Sequence, residues 1–329
     1  MRINKIVVAG VAATVLALSA CSNQSPSGSS SSNGASTTKT DSSKKLTVAV
    51  VTHSAPGDPF WDVVKSGATQ AGKDLNITMQ YNGDPDPTKQ SQLIENAIAQ
   101  KVDGLVVSMA NPDGVKGAVQ DAVKAGIPVV TINSGLEESK AFGAITHIGQ
   151  SEELAGEAAG AKFKELGGKH MICVIHEAGN IGLESRCKGA AKAFGGKVEN
   201  LQVNISNIAN VQATIASKLN SDKSVDAILT LNNAVGTAAV QAEESAKSTA
   251  PIGTFDVSSD VTTAIEGGKI AFAIDQQPYV QGYMPLVVIA LKDRNGNDVG
   301  GGQPVYSGPA FVTKDNVAQV AQFAANGTR

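Results

Sequence analysis

Aromatic residues are scarce in this chain, since phenylalanine, tryptophan and tyrosine together make up 4% of its 329 residues. The single tryptophan, Trp61, nevertheless directly follows Phe60 in a segment that is rich in glycine and proline. The net charge is −3, and the sequence has no cluster of basic residues. A surface without a basic cluster argues against a nucleic-acid partner.

The sequence also lacks the common catalytic motifs. It has no G-x-S-x-G and no G-x-x-x-x-G-K-[ST], and no G-x-G-x-x-G follows the first predicted strand. Its four histidines do not have the spacing of zinc ligands. We therefore predict no cofactor, no metal and no catalysis; the adjacent His176 and Glu177 are the pair that an acid–base enzyme would use, which is the minor alternative.

The first twenty residues have the layout of a signal peptide. Arg2 and Lys5 precede the apolar run from Ile6 to Leu18, which is shorter than the roughly 20 residues of a membrane span. The run closes with "LSAC", which resembles the bacterial lipobox. We predict a signal peptide over residues 1–20 and a lipid on Cys21; a plain secretory signal is the alternative.

Residues 21–44 are predicted to form a tether. Ten of the 22 residues from Ser22 to Ser43 are serine, so the segment has almost nothing to bury. As a flexible coil it would reach roughly 25 Å. The expected arrangement is a folded, exported domain that hangs outside a membrane from its lipid.

Two cysteines remain in the folded part, Cys173 and Cys187. Export permits a disulfide, but spacing alone does not decide between a disulfide and two buried thiols.

From Leu46 onward, short β-branched runs alternate with helical patterns, which predicts an α/β fold with parallel sheets covered on both faces. The predicted strands form two series: Leu46–Val51, Ile77–Tyr81, Gly104–Ser108 and Pro128–Ile132, then Met171–Ile175, Ala227–Leu231, Pro251–Phe255 and Ile270–Ile274. A TIM barrel has similar length and alternation. The break between the two series near Gly149 favours two Rossmann-like lobes.

Ligands of open parallel sheets bind beyond the carboxyl ends of the strands. Here those positions are polar. An asparagine, aspartate or serine after a strand can simply cap the next helix. Caps alone do not require an arginine, glutamines and a Phe–Trp pair at the same edge, so we predict a binding site there.

The helix after Asp58 carries an apolar stripe that begins at Phe60 and faces the sheet, whereas Trp61 lies one residue off that stripe. Packing therefore explains Phe60 better than Trp61. A flat apolar wall beside polar side chains suits a sugar ring, whose C–H faces pack on aromatics and whose hydroxyls need fixed donors and acceptors.

The segment "GDPFWDVVKSGA" resembles the opening of the ribose-binding-like, type I periplasmic substrate-binding proteins. The resemblance continues through "DGLVVSMANPDGV", "AGIPVVTINS", "ILTLNNAVGTAAV", "PIGTFDVSSD" and "IAFAIDQQPYVQGYM" in the family's order, and it covers nearly all of the chain after Lys45. It implies two Rossmann-like lobes joined by a three-segment hinge that close on a sugar for an ABC importer.

The matching motifs imply a set of ligand contacts: Asp58, Phe60, Trp61, Asn133, Asn232, Asp256 and Gln276. The segment "LESRCKG" leaves both Glu184 and Arg186 as candidates. The family's ribose binders have Asp-Arg where this chain has Asn133–Ser134, and their second-lobe aromatic falls near Ser206–Asn207, where this chain has none. Ribose is therefore not the expected ligand.

The resulting prediction is an exported, lipid-anchored solute-binding protein for a monosaccharide or polyol, expected to be a monomer and to partner an ABC transporter permease. The lobes are predicted to comprise residues 45–148 with 277–306, and residues 149–276 with 307–329. A sugar sensor for a membrane receptor would use the same closing lobes and is the main alternative. A sugar-responsive repressor is not expected, because the N-terminus has a signal peptide instead of a DNA-binding helix pair.

Overall fold

The computed structural model describes residues 44–329. The predicted signal peptide, Cys21 and all of the predicted tether except Lys44 lie outside the described residues. The strands in chain order are β1 (Leu46–Thr52), β2 (Ile77–Gly83), β3 (Gly104–Ser108), β4 (Val129–Ile132), β5 (Thr146–Gly149), β6 (His170–Ile175), β7 (Lys197–Gln202), β8 (Ala227–Thr230), β9 (Ile252–Phe255), β10 (Phe272–Asp275), β11 (Val305–Tyr306) and β12 (Ala310–Thr313).

The helices lie between these strands and after the last one. They are α1 (Pro59–Asp74), α2 (Pro87–Ala99), α3 (Pro112–Lys124), α4 (Leu136–Ser139), α5 (Glu152–Glu165), α6 (Ile181–Phe194), α7 (Ile208–Ser221), α8 (Asn233–Ala246), α9 (Ser259–Glu266), α10 (Pro278–Asn295) and α11 (Val317–Ala325), with a 3₁₀ turn at Gly300–Gly302. None of the described helices is both long enough and apolar enough to cross a bilayer.

The strands form two sheets. The first has the order β11-β5-β4-β3-β1-β2 with all neighbours parallel. The second has the order β12-β10-β9-β8-β6-β7, in which only β12 runs antiparallel to its neighbour. Each sheet with its covering helices is called a lobe below. The predicted α/β class with two parallel-sheet lobes is confirmed, and the single barrel that the alternation also allowed is not formed.

Each sheet buries an apolar layer on both of its faces. In the first lobe, α1 and α10 cover one face and α2 and α3 the other. In the second lobe, α7, α8, α9 and α11 cover one face and α5 and α6 the other. Strands buried on both faces need continuous apolar runs, which is why β1, β3 and β6 were recognisable in the sequence.

The strands β5, β7, β11 and β12 were not predicted. β7 lies at a sheet edge and includes the charged residues Lys197 and Glu199, which pair with each other. Its sequence therefore has no apolar run that would predict a strand. β11 has only two residues, which is too short for a periodic pattern.

The chain passes between the lobes three times: after Gly149, after Asp275 and after Tyr306. Ser307 ties the three passages together. Its backbone N–H donates to the carbonyl of Gly149 at 2.7 Å, and its hydroxyl donates to the carbonyl of Gln276 at 2.7 Å. The hinge is therefore a hydrogen-bonded unit in which movement of one passage affects the others.

A disulfide joins Cys173 of β6 to Cys187 of α6, with their Cα atoms 5.8 Å apart. The sequence had left this pairing open. The bond fastens α6 to β6, an interior strand of the second sheet, and α6 is the helix that carries Arg186.

Candidate functional site

The carboxyl ends of the strands in both lobes converge on one small cavity. Eight of the nine predicted ligand contacts line it: Asp58, Phe60, Trp61, Asn133, Arg186, Asn232, Asp256 and Gln276. The ninth, Glu184, is exposed on α6 and does not line the cavity. Glu184 and Arg186 are two residues apart on one helix, so their side chains point in different directions.

The lobes are closed over this cavity, whose volume is about 20 Å³. Direct hydrogen bonds join them: Asn232 Nδ2 donates to Asp58 Oδ1 at 3.1 Å, and Ser134 Oγ donates to Asn180 Oδ1 at 3.3 Å. A volume of this size holds about one water molecule. A solute larger than water therefore enters only when the lobes separate and these contacts are exchanged for contacts with the solute.

The aromatic pair forms one wall of the cavity. Asp58 caps α1 by accepting from the backbone N–H of Phe60 at 3.0 Å, and Pro59 follows as the first helical residue. Trp61 is only 4% exposed and meets the rings of His53 and Phe60 edge to face, with centroids 4.8 and 5.0 Å apart. Such contacts fix the indole in place, so Trp61 belongs to the wall as well as to the core.

A chain of amide and carboxyl groups runs from the first lobe through the hinge to the second. Asn133 Nδ2 donates to Gln276 Oε1 at 3.1 Å, and Gln276 Nε2 donates to Asp256 Oδ1 at 2.8 Å. Asn133 and Asp256 both have left-handed backbones, with φ of 60° and 68°. Asparagine and aspartate tolerate this conformation best after glycine, which explains these residue types at the ends of β4 and β9.

Arg186 enters the cavity from the second lobe already paired. Its Nε and Nη2 donate to the carboxylate of Glu152 at 2.6 and 3.0 Å, and its Nη1 donates to the carbonyl of Leu231 at 3.1 Å. The guanidinium also lies over the ring of Phe255, 4.3 Å from the centroid. A guanidinium has five N–H donors, so two remain for a solute.

Close helix packing brings Glu152 within reach of Arg186. Gly156 of α5 lies against the backbone carbonyl of Arg186, and a Cβ at this position would collide with it. Gly189 of α6 makes the reciprocal approach to the backbone of Glu153. The two glycines allow α5 and α6 to approach closely, so that a short glutamate-to-arginine bridge is possible.

Burial changes the acidity of the cavity carboxyl groups. It raises the pKa of Asp256 to about 7, and the neighbouring Arg186 moderates this rise. It also raises the pKa of Glu177 to about 7 and that of Asp58 to about 6. Near neutral pH these groups thus include protonated forms, which both donate and accept hydrogen bonds, as a solute hydroxyl does.

The two histidines of the cavity are neutral. Burial lowers the pKa of both His53 and His176 to about 3, and the charge of Arg186 adds to the effect. His53 Nδ1 is bonded to the hydroxyl of Ser108 at 2.7 Å. The cavity therefore has Arg186 as its one permanent cation among the described residues.

The predicted contact set omitted several residues that line the cavity: His53, Ser134, His176, Glu177, Asn180, Leu183 and Leu231. His176 and Glu177 directly follow β6 and therefore lie where the sequence predicts a binding site, beyond the carboxyl ends of the strands. They are absent from the predicted set because that set was taken from the matching family motifs.

Two groups of side chains within residues 44–329 have metal-ligand chemistry: Asp58, His176 and Glu177 in the cavity, and His170, Glu199 and Asp222 at the other end of the second lobe. In the second group, Lys218 already pairs with both carboxylates, at 2.6 and 3.0 Å. In the first, Asp58 is committed to Phe60 and Asn232. The expectation of no metal stays a prediction.

Two parallel α/β lobes that close over a buried polar cavity define a type I solute-binding protein. A model of the periplasmic binding protein domain matches residues 48–292. The chain belongs to this family, which acts outside the cytoplasm and binds solutes without transforming them.

A solved carbohydrate transporter from Acidothermus cellulolyticus 11B, in complex with myo-inositol, is 45% identical, with a TM-score of 0.86 over 87% of this chain and 100% of that chain. A xylitol-binding protein of Mycolicibacterium smegmatis is 27% identical over 77% of this chain and 73% of its own length. A xylose/arabinose-binding protein of Sulfolobus acidocaldarius is 26% identical over 71% of this chain, which spans 63% of that protein.

Proposed function

We propose that the chain captures a neutral sugar or polyol between its lobes and delivers it to an ABC importer. The observation that carries this proposal is the cavity itself: it combines an aromatic wall with amides, carboxyl groups and an arginine that is already paired. These groups match a ring with many hydroxyls, because each hydroxyl both donates and accepts.

Charge argues against an anionic solute. Sites for phosphate or carboxylate present unpaired arginine or lysine groups in a geometry for bidentate binding. Here Arg186 already forms a bidentate pair with Glu152 through its Nε and Nη2. Asp58, Glu177 and Asp256 add acidic groups that would repel an anion once ionised.

A cyclic polyol is the first ligand class to test. The 45% identical transporter was solved with myo-inositol, whereas the xylose/arabinose-binding and xylitol-binding relatives named above are 26% and 27% identical. Asn133 and Ser134 stand where a charged pair would grip an aldopentose in the ribose binders, so ribose is expected to bind weakly.

Membrane attachment and partners complete the proposal. We infer that a lipid on Cys21 anchors the protein, that residues 21–44 tether it, and that a permease receives the closed monomer. The proposed lobes comprise residues 45–148 with 277–306 and residues 149–276 with 307–329, divided at the three chain passages.

A thermal-shift screen tests the ligand class. The panel contains myo-inositol, xylitol, ribose, xylose and glucose, with an amino acid and a sugar phosphate as charged comparisons. A bound solute at a hundredfold excess over Kd adds about 2.7 kcal/mol to the folded state, a melting shift on the order of 5–10 °C. We expect this shift with a neutral polyol or sugar. Shifts confined to the charged compounds would refute the proposal.

A further inference from the structure

A second cavity opens beside the central one, at the lip of the closed cleft. Its volume is about 590 Å³, against about 20 Å³ for the central cavity. The two share four lining residues, His53, His176, Glu177 and Asn180. These side chains are therefore the partition between them. We call the larger cavity the lip groove.

The partition is built from hydrogen bonds that can be exchanged. Asn180 Nδ2 donates to Glu177 Oε2 at 2.7 Å and lies 3.5 Å from His53 Nε2. His53 belongs to the first lobe and the other two residues to the second. Because the lobes must part to admit a solute, the contact between His53 and Asn180 breaks in every binding cycle and can re-form around a linkage that passes between the cavities. The bond between Asn180 and Glu177 stays within the second lobe.

Three side-chain amides that line the lip groove have hydrogen-bonding groups available for a solute. Gln202 donates with its Nε2 to the carbonyls of Ile175 and Val203, at 3.0 and 3.1 Å, which leaves its Oε1. Asn204 accepts with its Oδ1 from the backbone of Ser206 at 2.9 Å, and Asn111 accepts likewise from Gly114 at 3.0 Å. Among the hydrogen bonds of the described chain, each of these side-chain amides thus bonds the protein through only one of its two groups, the NH₂ or the oxygen. The other ends supply both donors and acceptors to the groove.

His176 lies at the inner end of the lip groove, and its side chain makes no hydrogen bond within residues 44–329 although the residue is only 5% exposed. Burying a polar group without a partner is costly, so such groups generally have a partner when the protein is at work. A neutral imidazole offers one donor and one acceptor. Because His176 lines both cavities, a solute that reaches it from either side would satisfy it.

The charge of the lip groove restricts the solute further. No lysine or arginine lines it in the part of the chain that the structure describes, and Glu177 is its single carboxyl group. A phosphate or carboxylate would have no cationic partner there. Pro85, Pro87 and Ile205 provide apolar surface, which suits the C–H faces of a hydroxylated ring.

We propose that the lip groove is a second subsite that takes a neutral glycosyl group attached to the polyol or sugar in the central cavity. This inference rests on the proposed function. The groove has the size of typical small-molecule sites, about 300–1,000 Å³. The natural solute of this protein is then a glycoside, with one ring in the central cavity, a second in the lip groove and the linkage beside His176.

Matched pairs of probes test the proposal by titration calorimetry on the intact lipid-free chain: myo-inositol with its galactoside galactinol, xylose with xylobiose, and glucose with cellobiose. We expect at least one glycoside to bind as tightly as its parent or within about tenfold of it. Ser206→Trp fills the lip groove from an exposed loop position whose side chain makes no hydrogen bond among the described residues. This variant should weaken that glycoside at least about tenfold and leave the parent within about twofold.

Ala209→Trp is the matched control, because Ala209 is exposed in the first turn of α7 and does not line the groove. It should change neither affinity, and melting curves check that both variants fold. The proposal is overturned if every glycoside binds more than about tenfold weaker than its parent, or if Ser206→Trp leaves glycoside binding unchanged. Binding of parents alone refutes the second subsite and keeps the proposed function; binding of no probe refutes both.

Discussion

The two lobes bring different chemistry to the same cavity. The first lobe supplies the rings of Phe60 and Trp61, which are fixed by packing. The second supplies Arg186, Glu177 and Asp256, whose polar groups are held by partners in the protein. The first lobe therefore supplies the apolar wall together with Asp58 and Asn133, and the second supplies the arginine and two of the three cavity carboxyl groups.

The lobes also hold their site residues by different means. In the first, Gly67 of α1 and Gly282 of α10 let the two helix backbones touch, so packing alone positions the aromatic wall. In the second, the Glu152–Arg186 bridge and the nearby disulfide hold α6. A buried charge needs a fixed partner. The position of Arg186 therefore depends on single interactions, whereas the position of the aromatic wall depends on packing over many contacts.

Removing the partner of Arg186 should have the largest effect. Glu152→Ala leaves a guanidinium that is 3% exposed without its carboxylate, and breaking a buried pair in this way costs about 3–5 kcal/mol of unfolding free energy. Denaturant unfolding measures the loss. Glu153→Ala is the control, since Glu153 pairs with Lys188 and Lys192 at the surface, at 3.3 and 3.4 Å, and should cost less than about 1 kcal/mol. Equal losses in the two variants would mean that the bridge has no special role.

Truncating Asp256 should come next. Asp256→Ala removes the acceptor of Gln276 and a predicted solute contact, which should cost about 1.5–3 kcal/mol of binding to the best ligand of the thermal-shift screen. Titration calorimetry measures this loss. Asp260→Ala, at an exposed position on α9, is the control and should bind normally. Unchanged affinity in Asp256→Ala would remove this residue from the site.

The sequence predicted most of the fold because buried parallel strands leave a local pattern. The apolar runs of β3 and β6 are visible without any knowledge of tertiary structure. β7 and β11 are not, because an edge strand with charged residues and a two-residue strand become strands only through pairing with a neighbour.

The site was predictable to the extent that residues after strands converge at one edge. This rule identified Asp58 and Asp256, and His176, which directly follows β6, satisfies it as well. The Glu152–Arg186 bridge was not predictable, because it depends on the close approach of two helices at Gly156 and Gly189. Likewise, no spacing rule pairs Cys173 with Cys187; the fold brings them together.

Replacing the indole should have a smaller effect than either change in the second lobe. Trp61→Leu keeps an apolar side chain but loses the ring face, which should weaken binding of the same ligand by about 0.5–1.5 kcal/mol. In the wild type, Trp61 is the only tryptophan, so its emission should change when that ligand binds. Tyr306→Leu, at a position 59% exposed, is the control. A ligand that stabilises the protein without any change in emission would assign Trp61 to packing alone.

The smallest expected effect is a pH dependence of closure in the absence of solute. In the closed form burial raises the pKa of Glu177 and Asp256 from ordinary values of 4.5 and 3.8 to about 7. Lobe opening returns these groups to water, so the closed form binds protons more tightly. This contribution to closure is fully present below about pH 4 and is lost as the pH rises through about 7.

The histidines act in the opposite sense but in a lower window. His53 and His176 have a pKa of about 3 in the closed form and an ordinary value of 6.5, so they disfavour closure only below about pH 6.5. Between about pH 6.5 and 7.5 the carboxyl groups act alone, and small-angle scattering should show the radius of gyration of the solute-free protein rising. The Glu177→Gln, Asp256→Asn double variant should lose most of this rise; Asp58, whose pKa is raised to about 6, remains and contributes at the lower end of the interval. A wild-type radius that falls over this interval, or a variant that behaves as the wild type does, would mean that these carboxyl groups do not control closure. The charged groups of the second lobe would then act in solute binding and not in the movement of the lobes.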